Sequence, residues 1–393
     1  MDTITHGIAG ALIGKAVFRG EDMFASKPMN RARIITWALM LGAIFPDSDI
    51  VRDWFSSNQM LMVTWHRSIT HSLVCMPIFA LLLAALTRWF ARWRKWDAPS
   101  FAALTGIYAV GILSHIFLDL VTTFGTMIWS PLKWSRPAWD LIFIIDFTFT
   151  ALLLCPQILA WVYRKAEGLK NRAIITWSVL VLASLGAAAL LKIVGAPISA
   201  QTALTIILIL AVLFLLPSLR FKGLRVRYAT WNRAGLAAAV LYLAAAFYAH
   251  RVAFERVEKF ASLLQLQVES LGALPLPPSI WHWDGLVNTP RGVYEVRFDL
   301  SEAAPLSSIE HRYYPDAFPN PYIDAAKRLP EVQEVLWFSR FPVTRFHKEG
   351  TDAIVEFSDM RFPQVRKDRP ASFTYRVRMD ESGQIVSKGW VRD

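Results

Sequence analysis

Trp65-His66-Arg67-Ser68-Ile69-Thr70-His71-Ser72 stands directly before a long apolar run, Leu73 to Phe90. Two imidazoles, a guanidinium and several hydroxyls at the mouth of an apolar helix are costly unless they are paired or solvated. The stretch therefore points to a polar site built at the end of a membrane helix. Working outward, three more segments offer groups of the same kind beside apolar runs: Asp2 and His6, then Asp47 and Asp49 just past Pro46, then His115 and Asp119. His115 and Asp119 are four apart, so one helical face presents both, and Asp2 and His6 share that spacing. Asp47-Ser48-Asp49 reads as an extended turn. His66 and His71 are five apart, so His66 is expected just ahead of the helix and His71 in its first turn.

The chain has 393 residues, is 54% hydrophobic and has a mean hydropathy of +0.34. Several runs approach the roughly 20 apolar residues that cross a bilayer. The expected fold class is a polytopic α-helical membrane protein of about eight spans with a small β-rich soluble domain at its C-terminus. The spans are expected at His6–Val17, Ile34–Phe45, Ile69–Phe90, Phe101 to about Val121, Leu141–Tyr163, Ala173–Val194, Ala203–Leu216 and Ala234–Phe254. Alternation at Val293–Phe298, Ala353–Phe357 and Phe373–Val377 predicts half-buried strands. The chain divides into a membrane domain (1–255), a linker (256–278) ending in Leu274-Pro275-Leu276-Pro277-Pro278, and a β-rich domain (279–393).

The net charge is +11. In a soluble chain that would suggest nucleic acid, but the basic residues fall in short loops between apolar runs. These hold Arg19, Lys27, Arg31 and Arg33; Arg92, Arg94 and Lys95; Arg164, Lys165, Lys170 and Arg172; and Arg220, Lys222, Arg225, Arg227 and Arg233. Helix orientation by positive charge accounts for them. With these loops in the cytoplasm, all four His/Asp segments fall on the opposite face, and so does the β-rich domain. Cys75 and Cys155 lie in apolar runs, which suits small buried hydrophobes rather than a disulfide framework.

Histidine and aspartate together suit a divalent metal, zinc above all, with manganese or iron as alternatives. The candidate ligands are His6, Asp47, Asp49, His66, His71, His115 and Asp119. That set exceeds the needs of one tetrahedral ion, so one or two ions are expected. Such an ion lowers the pKa of its bound water and makes a nucleophile at neutral pH. Arg67 and Asp49 are the candidate catalytic residues, with Arg67 suited to an anionic phosphoester. Each segment alone has a bland reading: a solvated Asp-x-Asp turn, a helix cap, an arginine paired with a carboxylate. Asp146 reads equally as a functional acid or a structural one. The other expected function is a metal-ion transporter or sensor, although the later spans offer few polar groups apart from Lys192. A membrane scaffold is a third, but it leaves the clustered ligands unexplained.

These residues resemble the YdjM-type (YbcI-like) family of membrane-bound metal-dependent hydrolases. The matching motifs are Met1-Asp2-x-x-Thr5-His6-x-x-x-Gly10, Phe45-Pro46-Asp47-Ser48-Asp49, His66-Arg67-x-x-Thr70-His71-Ser72 and Ser114-His115-x-x-x-Asp119-x-x-Thr122-Thr123-x-Gly125. The resemblance covers roughly the first half of the chain. It implies a bacterial inner-membrane protein, in contact with the lipid bilayer, with a metal-dependent hydrolase activity; the resemblance gives no substrate, and the residues themselves suggest a phosphoester or lipid-linked one.

Overall fold

The computed structural model describes residues 1–21, 29–56, 58, 60–193, 199–220, 226–277, 280–303, 308–362 and 373–391. Lys27, Lys222 and Arg225 of the basic loops and Pro278 of the expected linker lie outside the described residues, as does the side chain of Lys192.

Helix α1 (Thr3–Ala16) is followed by α2 (Arg31–Ile44), a 3-10 turn at Phe45–Asp49, α3 (Ile50–Trp54), α4 (Leu61–Thr64) and a second 3-10 turn at Ile69–His71. Then come α5 (Met76–Trp93), α6 (Phe101–Leu120), α7 (Phe147–Val162), α8 (Leu169–Ile193), α9 (Ala200–Phe214), α10 (Leu216–Arg220) and α11 (Tyr228–Leu263). Among the described residues, four helical stretches are long and apolar enough to cross a membrane, and a fifth if the bent pair Leu61–His71 and Met76–Trp93 is one span. The sequence places the third span from Ile69. In the structure that helix starts only at Met76, because the polar stretch before it folds as turns and meets it at 70°.

Side chains without bulk bring the first helices together. A Cβ at Gly10 of α1 would lie 2.5 Å from the Leu39 carbonyl oxygen of α2, and one at Gly111 of α6 would lie 2.8 Å from that same oxygen. The α1, α2 and α6 backbones therefore touch. Gly10 shares a helical stripe with His6, and Gly111 shares one with His115 and Asp119. The close approach carries those polar groups toward one another at the same end of the bundle.

The stretch read as a linker carries structure instead. Helix α11 is 36 residues long, about 54 Å at the helical rise. That exceeds the ~30 Å hydrocarbon core by several turns. Ala239 and Ala246 pack in the bundle, while Ala253, Val257 and Phe260 support the first sheet through Trp283, Val287 and Val296. Strand β1 (Ser270–Pro275) then pairs with β2 (His282–Thr289), followed by β3 (Gly292–Asp299) and β4 (His311–Pro315) in an antiparallel sheet of order β1-β2-β3-β4. Helices α12 (Pro321–Lys327) and α13 (Pro330–Phe338) lead to a second sheet, β5 (Pro342–Glu349), β6 (Asp352–Asp359), β7 (Thr374–Met379) and β8 (Ile385–Trp390), again in sequential order.

The β-rich part is seated on the loops of the bundle. Phe124, Met60 and Val63 enter the core formed by Val335, Phe338, Phe357 and Tyr375. Buried Arg361 donates to the Thr123 carbonyl oxygen at 3.2 Å and to the Phe338 carbonyl oxygen at 2.7 Å, while paired with Asp359. Arg340 grips Asp140 through two bonds of 3.0 and 2.8 Å.

Candidate metal centre

Four segments meet at the loop end of the bundle. Asp2 caps α1 by accepting from the Thr5 amide, which starts the helix in time to aim His6 inward. The His6 ring lies flat on that of His115, centroids 3.6 Å apart. The sequence predicts an extended turn at Asp47-Ser48-Asp49, but the structure has a 3-10 turn, with Pro46 in its opening positions and the preceding helix running straight into it. The tighter winding sends the two carboxylates to different partners. His66 lies ahead of the second 3-10 turn and His71 ends it, so neither sits in a regular helix.

Asp47, His71, His115 and Asp119 form one group that can hold a metal ion. His71 Nε2 is 3.0 Å from His115 Nε2 and 3.2 Å from Asp119 Oδ2, and His115 Nε2 is 3.3 Å from the same oxygen. Asp47 Oδ1 completes the set at 3.5 Å from His115 Nε2 and 3.7 Å from His71 Nε2. A tetrahedral zinc site with bonds of ~2.0–2.1 Å has ligand–ligand edges of about 3.3 Å. Five of the six edges of the group, at 3.0–3.7 Å, are thus close to that length, and the sixth, between Asp47 and Asp119, is within 4.8 Å.

The hydrogen-bond network shows which lone pairs face the centre. His115 Nδ1 donates to the Ala43 carbonyl oxygen at 2.6 Å, which leaves Nε2 bare in the neutral ring. The Thr70 hydroxyl donates to Asp49 Oδ2 at 3.2 Å and is 3.0 Å from His71 Nδ1, so that nitrogen carries the proton and donates to the hydroxyl. In the neutral ring His71 Nε2 is then bare as well, facing His115 Nε2 at 3.0 Å. Asp119 Oδ2 is buried and has no hydrogen-bond partner. With both rings neutral, two imidazole lone pairs and a carboxylate oxygen converge within 3.3 Å of one another. A divalent cation satisfies all three, so the residues fit the ion.

Three of the seven expected ligands lie beside this group. Asp49 accepts from His66 Nδ1 at 3.0 Å and from the Arg67 amide at 3.0 Å, and its Oδ2 lies 3.5 Å from His71 Nδ1. It orients a ligand-type ring, as carboxylates behind metal-bound histidines do. His66 stands on the far side of Asp49. His6 Nε2 is 3.2 Å from Asp119 Oδ1, and its Nδ1 is buried without a hydrogen-bond partner.

Arg67 is 2% exposed and reaches the same carboxylate, with Nη2 3.0 Å from Asp119 Oδ1 and Nη1 donating to Thr122 at 3.1 Å. Its backbone φ is +60°, a left-handed conformation that costs a non-glycine residue energy and persists where the surroundings enforce it. Asp49 holds its amide and Met127 donates to its carbonyl oxygen at 2.9 Å. The Met1 amino group also donates to Asp119 Oδ1.

Several contributors were not singled out from sequence. Thr3 donates to Asp47 Oδ2 at 2.5 Å, and Arg136 donates to the His66 carbonyl oxygen. Thr70 and Thr122 stood within the motifs, but nothing in the sequence linked Arg136, seventy residues away, to His66. Asp146 caps α7 and accepts from Tyr242 at 2.6 Å, a structural use of that acid. His282 pairs with Asp299 and His347 with Glu349, away from the cluster. Cys75 and Cys155 are free thiols.

Residues 1–195 match the family described as YdjM inner membrane protein, which bears out the resemblance of the four motifs. No curated protein and no solved structure matches the chain.

Proposed function

We propose, starting from a membrane part of the YdjM type, that this protein is a membrane-embedded metal-dependent hydrolase of phosphoesters. The observation that carries the reading is the convergence of Asp47, His71, His115 and Asp119 on one small group beside the buried guanidinium of Arg67. Zinc suits two nitrogens and two oxygens in that geometry, and manganese or iron suits the same donors. When bound, the ion supplies an activated water and stabilises negative charge on a phosphoryl oxygen.

The chain's own residues do the rest. Arg67 lies beside the group, paired with Asp119 and Thr122, and its planar fork would exchange those partners for phosphoryl oxygens when an anionic substrate binds. Asp49 keeps the His66 proton on Nδ1 and leaves the other ring nitrogen to exchange a proton with a leaving oxygen. His6 stacks on His115 and excludes water from that side. The cluster lies at helix ends rather than at mid-depth in the bundle, which favours hydrolysis at an interface over transport.

The orientation belongs to the same proposal. Arg233 Nε donates to the Ala16 carbonyl oxygen, and the Tyr163 hydroxyl donates to the Leu213 carbonyl oxygen, so α1, α7 and α9 finish where α11 starts. Arg19, Arg164, Lys165 and Arg227 gather at that end, opposite the cluster. Eight crossings, by α1, α2, α5, α6, α7, α8, α9 and α11, suit these contacts. By the positive-inside rule the cluster and the β-rich domain then face away from the cytoplasm.

The test is metal analysis and phosphoester turnover on the detergent-purified chain. A divalent ion should co-purify, chelation should abolish turnover, and readdition should restore it. Metal-free protein from metal-replete cells, or full turnover in His71→Ala, refutes the reading.

A further inference from the structure

The four donor side chains are not equally enclosed. His71, His115 and Asp119 are 0% exposed, whereas the Asp47 side chain is 8% exposed. The cluster therefore opens along Asp47. Asp47 continues the stripe of α2 that carries Met40 and Ile44, and Thr3, bonded to Asp47, continues the stripe of α1 that carries Gly7 and Ala11. Those two stripes are the walls of an apolar groove of about 500 Å³, closed on its third side by α7 through Leu154 and Ile158.

The groove starts at Ile4, one residue past Thr3, and ends at Lys15. Eleven residues of helical rise make it about 16 Å long. That is roughly half of the ~30 Å hydrocarbon core, the depth of one leaflet. A second apolar groove of about 400 Å³, between α2, α5 and α6, includes Leu83 and Leu86 and reaches no part of the cluster.

We infer that the α1–α2–α7 groove holds the hydrocarbon tail of a membrane amphiphile whose phosphoester head lies at Asp47 and Arg67. This rests on the hydrolase reading above and names its substrate class: a single-tailed or tail-extended phospholipid taken sideways from the leaflet. Charge and shape agree along the path. The tail meets walls that are apolar apart from Gln157 and, at the far end, Lys15, and the anionic head meets the end where Thr3 and Asp47 join the cluster that holds Arg67. The β-rich domain covers the loop side through Phe124 and Arg361, so the open side is the one toward lipid.

The test uses the full chain in nanodiscs with a diazirine-tailed analogue of hexadecylphosphocholine at low loading. Adducts should concentrate on Met40, Leu154 and Ile158, about tenfold above Leu83 and Leu86 of the second groove. Gly7→Leu, whose side chain would displace Ile44 into the space, and Leu154→Trp should each erase that excess. Leu86→Trp, in the second groove, should not. In parallel, Leu154→Trp should lower kcat/KM for hexadecylphosphocholine at least tenfold and leave glycerophosphocholine, which has no tail, unchanged. Metal content checks that the cluster survives in each variant, and if Gly7→Leu loses metal, Leu154→Trp decides. Equal labelling of the two grooves, or equal loss on both substrates in a metal-loaded Leu154→Trp, overturns the tail site. Groove-specific labelling without any hydrolysis leaves the tail site standing and refutes the hydrolase reading instead.

Discussion

Asp49→Asn separates a ligand from a residue that orients one. Asparagine keeps the shape and keeps an oxygen for the Arg67 amide and the Thr70 hydroxyl, at 3.0 and 3.2 Å from Asp49 Oδ2. What it removes is the negative charge behind His71 and the acceptor for His66 Nδ1. Loss of a carboxylate behind a metal-bound histidine typically weakens metal binding by about 10–100-fold, which corresponds to about 1.4–2.7 kcal/mol. Loss of a donor from the four-atom group removes one of only four bonds and should exceed that range. The assay is a competition titration of the purified variant against a chelator of known affinity, with His71→Ala alongside. Asp49→Asn should retain measurable metal at an affinity one to two decades below wild type, while His71→Ala should show none in the same window. Metal loss as complete as in His71→Ala would mean that Asp49 coordinates directly. Unchanged affinity would mean that the Asp49–Thr70–His71 chain does not orient the ring.

Arg67→Ala removes a cation 3.0 Å from Asp119, so metal should bind as well as in wild type or more tightly. Phosphoester turnover should fall on the order of a hundredfold, with partial recovery in Arg67→Lys, which keeps charge but not the fork; parallel loss of metal would refute the substrate role. Arg361→Ala strands the Asp359 carboxylate, 1% exposed, and cuts the bond to the Thr123 carbonyl. It should destabilise the β-rich domain by about 3–5 kcal/mol in denaturant unfolding, and a loss under 1 kcal/mol would show that the pair is dispensable. Burial, and then the charge of Glu295, pushes the Asp284 carboxyl well above its usual range against the pull of Arg297. The folded state then keeps a proton that the unfolded chain sheds near pH 3.9. Stability falls as pH rises from there toward the raised folded value, by about 1.4 kcal/mol per pH unit. Asp284→Asn should flatten that part of the profile in unfolding followed by tryptophan fluorescence, and an unchanged slope would refute the assignment.

Much of the candidate site was legible because its chemistry is expensive where it stands. Histidine and aspartate beside apolar helices need partners, and the charge bias of the loops put all four segments at one end without reference to any ligand. Helix existence and the three alternating strands were readable from period alone. Other features depend on tertiary contacts that no local pattern encodes. The Asp-x-Asp pair looked like two equal ligands, but the 3-10 winding turned Asp47 toward His115 and Asp49 toward His66 and Arg67. Prolines made 256–278 read as a linker, yet packing of Val257 and Phe260 against Trp283 carries α11 through it, and pairing with β2 makes Ser270–Pro275 a strand. Strand β8 shows no alternation because it is a largely exposed edge strand, held by its pairing with β7 rather than by a buried face of its own. Composition determined that this chain lies in a membrane and which residues had to find partners. Only the close packing of α1, α2 and α6 at Gly10 and Gly111, together with the 3-10 turn that delivers His71, decided that Asp47, His71, His115 and Asp119 form one group, because backbone separation between helices is set by both surfaces at once.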